Sequence, residues 1–396
     1  VSSSAPEQEP YLSVVVPARN SSDAELLRLR LGLSAWLEQA ARHGVPEEIV
    51  IVEWNPPKDR PRLAQCLMAG NAACRLRVIE VLPEVHAFFS HHELLPMFEH
   101  LAANVGIRRA SGRFVLSARS GVVVSEELIA RIARRDLEPG SLYRCDTWEV
   151  TPPERDLPPK ALFDHCDASV VRIHRRRETL NLETGRINKV YQRPLAIWWE
   201  PVLTLAREFV SWLDAMPSLL RALGQRAMAC WRIDRKKHSR EFWLFARKLA
   251  GSLAMPFRQA ARLYATRRST RTYFLPAHIN GCANFLLLDR QTWLRVRGFP
   301  EMQQSSYHID SLFALALVAS CAVTERELQF PARSLRLGAL EEEPAADARF
   351  AWLKYFDMAR IADGYRGQGK AFTFNPDDEW GLGSLMLTEK EPIPAH

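Results

Sequence analysis

A chain of 396 residues, 47% hydrophobic and 25% charged, has the composition of a folded protein and room for one large α/β domain with insertions or for two domains. Seven scattered cysteines without a CxxC spacing argue against a disulfide framework or a zinc site and suit buried free thiols in a reducing, cytoplasmic compartment. The net charge of +7 is concentrated: residues 171–270 hold 21 Lys/Arg against 7 Asp/Glu, and the rest of the chain is net acidic.

Residues 1–10 lack the basic and apolar regions of a signal peptide and read as a disordered lead-in; without an initiator Met, the true start is expected upstream. Tyr11–Val16 is a continuous β-rich run ending at Pro17-Ala18-Arg19-Asn20, which suits a buried parallel strand. Residues 23–43 have helical periodicity, with Leu26, Leu27, Leu31, Leu33, Trp36 and Leu37 as the buried side. Glu48–Glu53 and Leu76–Val81 are two further strands, and the alternation predicts a doubly wound sheet. His86, His91, His92 and His100 match no metal-ligand spacing and read as polar loop residues.

The stretch 91–128 organises the chain. Leu94, Phe98, Leu101 and Val105 predict a helix that Ser111-Gly112 stops, with glycine in the left-handed conformation. Phe114-Val115-Leu116 is a short strand, followed by a polar break at Ser117–Gly121. Val122–Val124 resume strand character, and Ser125 before Glu126 and Glu127 reads as an N-cap. A polar break at a strand's carboxyl end is where open α/β sheets bind ligands.

Residues 137–170, with five prolines, read as a loop-rich crossover containing a short strand at 142–145. The basic segment holds five of the eleven tryptophans, and within it 200–229 and 240–266 are helical stretches. Three readings stand: a helical layer with a solvated basic face, attachment to an anionic membrane surface through residues 171–270, and, ranked last, nucleic-acid binding. The chain returns to the sheet at 280–318, where Asn280-Gly281 opens the strand 285–288, Asp289-Arg290 begins a helix, and His308-Ile309-Asp310 precedes an apolar helix. The tail carries an amphipathic helix, 346–362, and a docking element at Trp380-Gly381-Leu382.

Asn104-Val105-Gly106-Ile107, the pair Arg108-Arg109, Ser-Gly-Arg-Phe at 111–114, Gly298-Phe299-Pro300-Glu301 and His308-Ile309-Asp310 together resemble the inverting nucleotide-sugar glycosyltransferases of family 2. The resemblance covers about residues 10–135 and 278–335. It implies a GT-A-like, mostly parallel sheet flanked by helices: 11–150 as a nucleotide-binding half, 151–277 as crossover and basic helical insertion, 278–340 as the acceptor half, and 341–396 as C-terminal helix and tail. It further implies donor contacts from Pro17, Ala18, Arg19, Glu53, Asn104, Arg109, Arg119, Ser120 and Gly121, an acceptor side at Asn280, Gly281 and His308, and Asp310 as the catalytic base.

The family's acidic motif, which binds Mn2+ or Mg2+, is missing. Ser120 or Gly121 stands where its Asp is expected, and Arg333–Leu337 lacks the family's histidine. No metal ligand is therefore assigned, and Arg109, Arg119 and Arg333 or Arg336 become candidates for the diphosphate charge. Two readings follow. One is a transferase moving sugar from a nucleotide-sugar to a glycan or lipid-linked acceptor; the other is an inactive relative acting as a binding or scaffold protein.

Overall fold

Every residue of β1 (Leu12–Ala18) and β2 (Glu48–Trp54) is buried, a pattern that arises where both faces of a sheet are covered. The computed structural model describes residues 9–190, 277–338, 353 and 355–392. Between β1 and β2 runs α1 (Asp23–His43); after β2 come α2 (Leu63–Cys66), β3 (Arg75–Val81), α3 (Pro83–His86), α4 (Glu99–Arg109) and β4 (Phe114–Ser117). β3, β2, β1 and β4 lie side by side and parallel.

Side chains alternate across each strand, so successive residues feed different layers. Val14, Val16, Ile49 and Ile51 pack with Leu29, Leu33, Trp36 and Leu37 of α1. Val15 and Val52 face α4, which approaches so closely at Gly106 that a Cβ there would sit 2.4 Å from Val15 Cγ1. The ends of α1 follow local chemistry. Ser22 accepts the Glu25 N–H, and Gly44 closes the helix at φ 68°.

The second half widens the sheet. β5 (Val122–Val124), α5 (Glu126–Ala133), β6 (Ser141–Val150), α6 (Pro159–Ala168), β7 (Val170–His174), β8 (Glu178–Asn181) and β9 (Ile187–Lys189) precede β10 (Leu286–Asp289), α7 (Arg290–Val296), α8 (Ile309–Ala319), β11 (Thr324–Leu337), α9 (Tyr355–Gly364) and β12 (Thr388–Lys390). β10 lies antiparallel between β4 and β6, β11 pairs with β6 and β5, and β12 is antiparallel on β3. The result is a mixed α/β fold with a mostly parallel central sheet flanked by helices.

Four expectations change. The helix predicted from Leu94 begins at Glu99, and turns occupy 91–94. Gly112 is not a left-handed stop; the chain leaves α4 through extended Ala110, and Gly112 is small because a Cβ would lie 2.6 Å from Ser13 N. The crossover at 137–170 contains the ten-residue strand β6 and a helix, and 170–189 form antiparallel strands. Alternating small and polar residues hid these strands from a reading that sought continuous apolar runs. The helical stretches 200–229 and 240–266 lie outside the described residues, as does most of 346–354.

The six cysteines among the described residues are free. Among the described residues no helix is long and apolar enough to cross a membrane.

Candidate functional site

Strand direction decides what can meet at the polar break. Because β10 is antiparallel to β4, its first residue, Leu286, stands opposite Ser117, the last residue of β4. The tight turn Cys282–Asn284 therefore sits beside Ser117–Gly121. Asn284 Oδ1 accepts a 3.1 Å hydrogen bond from Arg336, whose strand neighbour is Val122 just past the break. Cys282 Sγ donates to the Asp310 carbonyl at 3.5 Å.

A second route joins the break to the same place. Arg119 is ion-paired with Glu99 at 2.8 Å, and Glu99 opens α4. The next residue, His100, contacts Ser306 Oγ at 3.0 Å and the Met302 carbonyl at 2.8 Å; burial pushes its imidazole down to about 4. Residues 302–306 lead into His308, which starts α8 at φ 66°, and into Asp310 in the first helical turn. Burial lowers the His308 imidazole, against the opposing charge of Asp310. Gly121, at φ 74°, completes the break by accepting the Leu337 N–H. Arg119, Ser120 and Gly121 thus lie at the carboxyl end of β4, beside a turn that is bonded to the Asp310 carbonyl and to Arg336.

Other predicted site residues hold the fold together. Pro17 and Ala18 are buried strand residues paired with Val52 and Glu53, so the loop begins at Arg19, whose Nε donates to the Asn55 carbonyl. The Asn104 amide clasps the 298–301 turn: its Nδ2 donates to the Phe299 carbonyl and Glu301, and its Oδ1 accepts the Phe299 N–H at 2.7 Å. Arg109 donates to the carbonyls of Gly381, Leu382 and Leu385, and Arg108 to that of Trp380, so the 380–382 element does dock, on α4. Arg333 turns away to Asp167 at 2.7 Å and stacks on Trp148. Asn280 donates to the carbonyls of Arg175 and Glu178 and to Thr179, tying its loop to the β7–β8 hairpin, while Gly281, at φ 62°, accepts from Thr147.

Glu53 is different. It is fully buried, and its two oxygens share one donor, the Leu63 N–H. Burial pushes its carboxyl up to about 7, opposed by that hydrogen bond.

Sequence reading missed a polar group next to the 280–284 loop. Arg144, fully buried on β6, donates to the carbonyls of His278, Asn280 and Cys282. Two residues on, Asp146 meets His278 and Glu327. His278 Nδ1 lies 3.2 Å from Glu327 Oε1, and Arg176 holds Glu327 Oε2 at 3.1 Å. Burial and then the Glu327 charge raise the Asp146 carboxyl to about 6; burial lowers His278 to about 4; the contacts with His278 and then Arg176 bring Glu327 down to about 2. The only sequence signal was an acid two residues after an arginine inside a strand, which no spacing rule selects.

The histidines of 86–100 are engaged otherwise. His86 Nδ1 accepts from Trp54 at 2.9 Å, and His86 and His92 each contact a backbone carbonyl. A groove of about 520 Å³ lies between α5 and the first half of β11; of its three arginines, Arg131 pairs with Asp136 and Arg326 with Glu138. The sequence matches no protein-family model and no curated protein.

Proposed function

We propose that this chain transfers a sugar from a nucleotide-sugar donor to a glycan or lipid-linked acceptor, with inversion, on a GT-A-like sheet. The observation that carries the reading is that Asp310 and Arg336 are both tied to the Cys282–Asn284 turn beside the polar break. In this reading the Asp310 carboxylate takes the proton of the acceptor hydroxyl. The hydroxyl oxygen then bonds to the anomeric carbon from the face opposite the diphosphate. The anomeric C–O bond breaks, and its electron pair leaves on the nucleoside diphosphate. Arg336 answers the charge that develops there, in place of the missing acidic motif.

Calorimetric titration with UDP and GDP, with and without Mn2+, tests this. Binding without metal, weakened at least tenfold by Arg336→Ala, supports it; so does a donor screen in which Asp310→Asn abolishes transfer and leaves nucleotide affinity intact. No nucleotide binding under any condition sinks it.

The second reading, a non-catalytic binding protein, has its own support. Arg119 is already paired with Glu99, and Arg109 with the tail, so an incoming phosphate would have to displace protein partners. Nucleotide binding with no transfer for any donor would select it. Attachment of residues 171–270 to an anionic membrane belongs to both readings, and sedimentation with phosphatidylserine vesicles tests it.

A further inference from the structure

Asp146, His278 and Glu327 come from three separate places: the middle of β6, the approach to the 282–284 turn, and β11. Each offers one ligand atom, and these atoms lie within 4.8 Å of one another. The His278 ring is fully buried; its Nδ1 faces Glu327 Oε1 at 3.2 Å, and its Nε2 makes no hydrogen bond among the described residues. Asp146 is half-buried, with the charges of Arg175 and Arg144 near its carboxylate. Glu327 is half-engaged: Arg176 holds Oε2, and Oε1 faces the imidazole.

A buried polar group without a partner costs on the order of 1–3 kcal/mol, and two carboxylates at close range repel. One imidazole and two carboxylates converging on one point form a donor set that a cation satisfies. The cation has to tolerate both nitrogen and oxygen, which favours Zn2+ or Mn2+ over Mg2+, whose preference is for oxygen and water.

We propose that Asp146, His278 and Glu327 bind a divalent transition-metal ion, with one coordination position or more left for water or a ligand. The ion fastens the 277–284 segment to β6 and β11 from the side-chain direction, as Arg144 fastens it through three carbonyls. The site adjoins the 282–284 turn that borders the polar break, and metal titration without nucleotide reads it separately from the proposed transfer.

The test uses the full chain, stripped with a chelator and titrated with Zn2+, Mn2+ and Mg2+. One Zn2+ or Mn2+ per chain is expected, with Mg2+ at least tenfold weaker. Asp146→Asn, His278→Gln and Glu327→Gln should each weaken Zn2+ binding at least tenfold, with unchanged circular dichroism. Stoichiometric binding that all three variants retain at full strength overturns the proposal, as does the absence of stoichiometric binding by the wild type. Should a variant fail to fold, Co2+ added to the wild type still decides: visible bands without sulfur charge transfer fit nitrogen and oxygen ligands. Thiolate bands would move the ion to a cysteine and overturn the assignment.

Discussion

Glu48 and Glu53 stand at opposite ends of β2, both buried, and the sheet treats them in opposite ways. At the amino end, burial alone would push the Glu48 carboxyl up, yet the Ser111 N–H, the Ser13 hydroxyl and Arg77 together carry it below the usual range. At the carboxyl end, one shared N–H is all that Glu53 receives, and its carboxyl rises to about 7. Asp146, with its raised carboxyl, belongs with Glu53. Asn104 and Arg109, with every contact made to protein, belong with Glu48. A buried polar group that the fold fully matches is scaffolding; one that it leaves short is where a ligand or ion has something to supply.

The sharpest way to break this contrast is at Arg77, which bridges Glu48 and Glu389. Arg77→Met should cost about 3–5 kcal/mol in urea denaturation at pH 7, because Glu48, only 2% exposed, keeps its charge without its cation. A loss below about 1 kcal/mol would mean that the amino edge is not held by matched charge.

Glu53→Gln should act in the other direction. Below about pH 4.5 both folded and unfolded chains keep the Glu53 proton, and the residue is neutral in the balance. Between about 4.5 and 7 the unfolded chain releases it while the folded chain holds it, so stability falls as pH rises and levels off above about 7. The amide keeps the Leu63 hydrogen bond without the charge. The variant should therefore match wild type near pH 4.5 and exceed it by about 2–3 kcal/mol at pH 8. Equal curves at both pH values would remove Glu53 from the unmatched class.

Asp146→Asn in chelator should stabilise by a smaller amount, about 1–2 kcal/mol at pH 8 after allowance for solvent screening, by relieving repulsion with Glu327. Saturating Zn2+ should reverse the sign, because the wild type alone gains the full ligand energy. The smallest effect belongs to Arg333→Ala. Its ion pair is with an exposed carboxylate, Asp167, and its stacking on Trp148 is modest, so about 0.5–1 kcal/mol is expected, with nucleotide titrations unchanged.

Much of the scaffold was legible because its signals are local. The 23–43 helix, the strands at 12–18, 48–54 and 75–81, and the Ser125 cap all follow from periodicity and capping within a few residues. The site was legible only in part. His308-Ile309-Asp310 opens a helix as expected, and the polar break lies at the carboxyl end of β4. Whether an arginine serves phosphate or a carbonyl, however, depends on residues some 270 positions away, as at Arg109 and Gly381. Asp146, His278 and Glu327 share no spacing at all; only the register of β11 on β6 puts two of them on neighbouring strands.

That same remoteness governs how the chain can be made. Arg77 reaches Glu389, 312 residues later, and β12 covers the open edge of β3 with residues 388–390. On the ribosome, β3 is complete long before its partner strand emerges. Until then it presents a bare row of backbone donors and acceptors, the kind of surface on which neighbouring chains pair wrongly. Arg75, Arg77 and Glu80 lie along that edge, so a charged border guards the sheet during synthesis and becomes the ladder of ion pairs that later receives Glu389, Lys390 and Glu391.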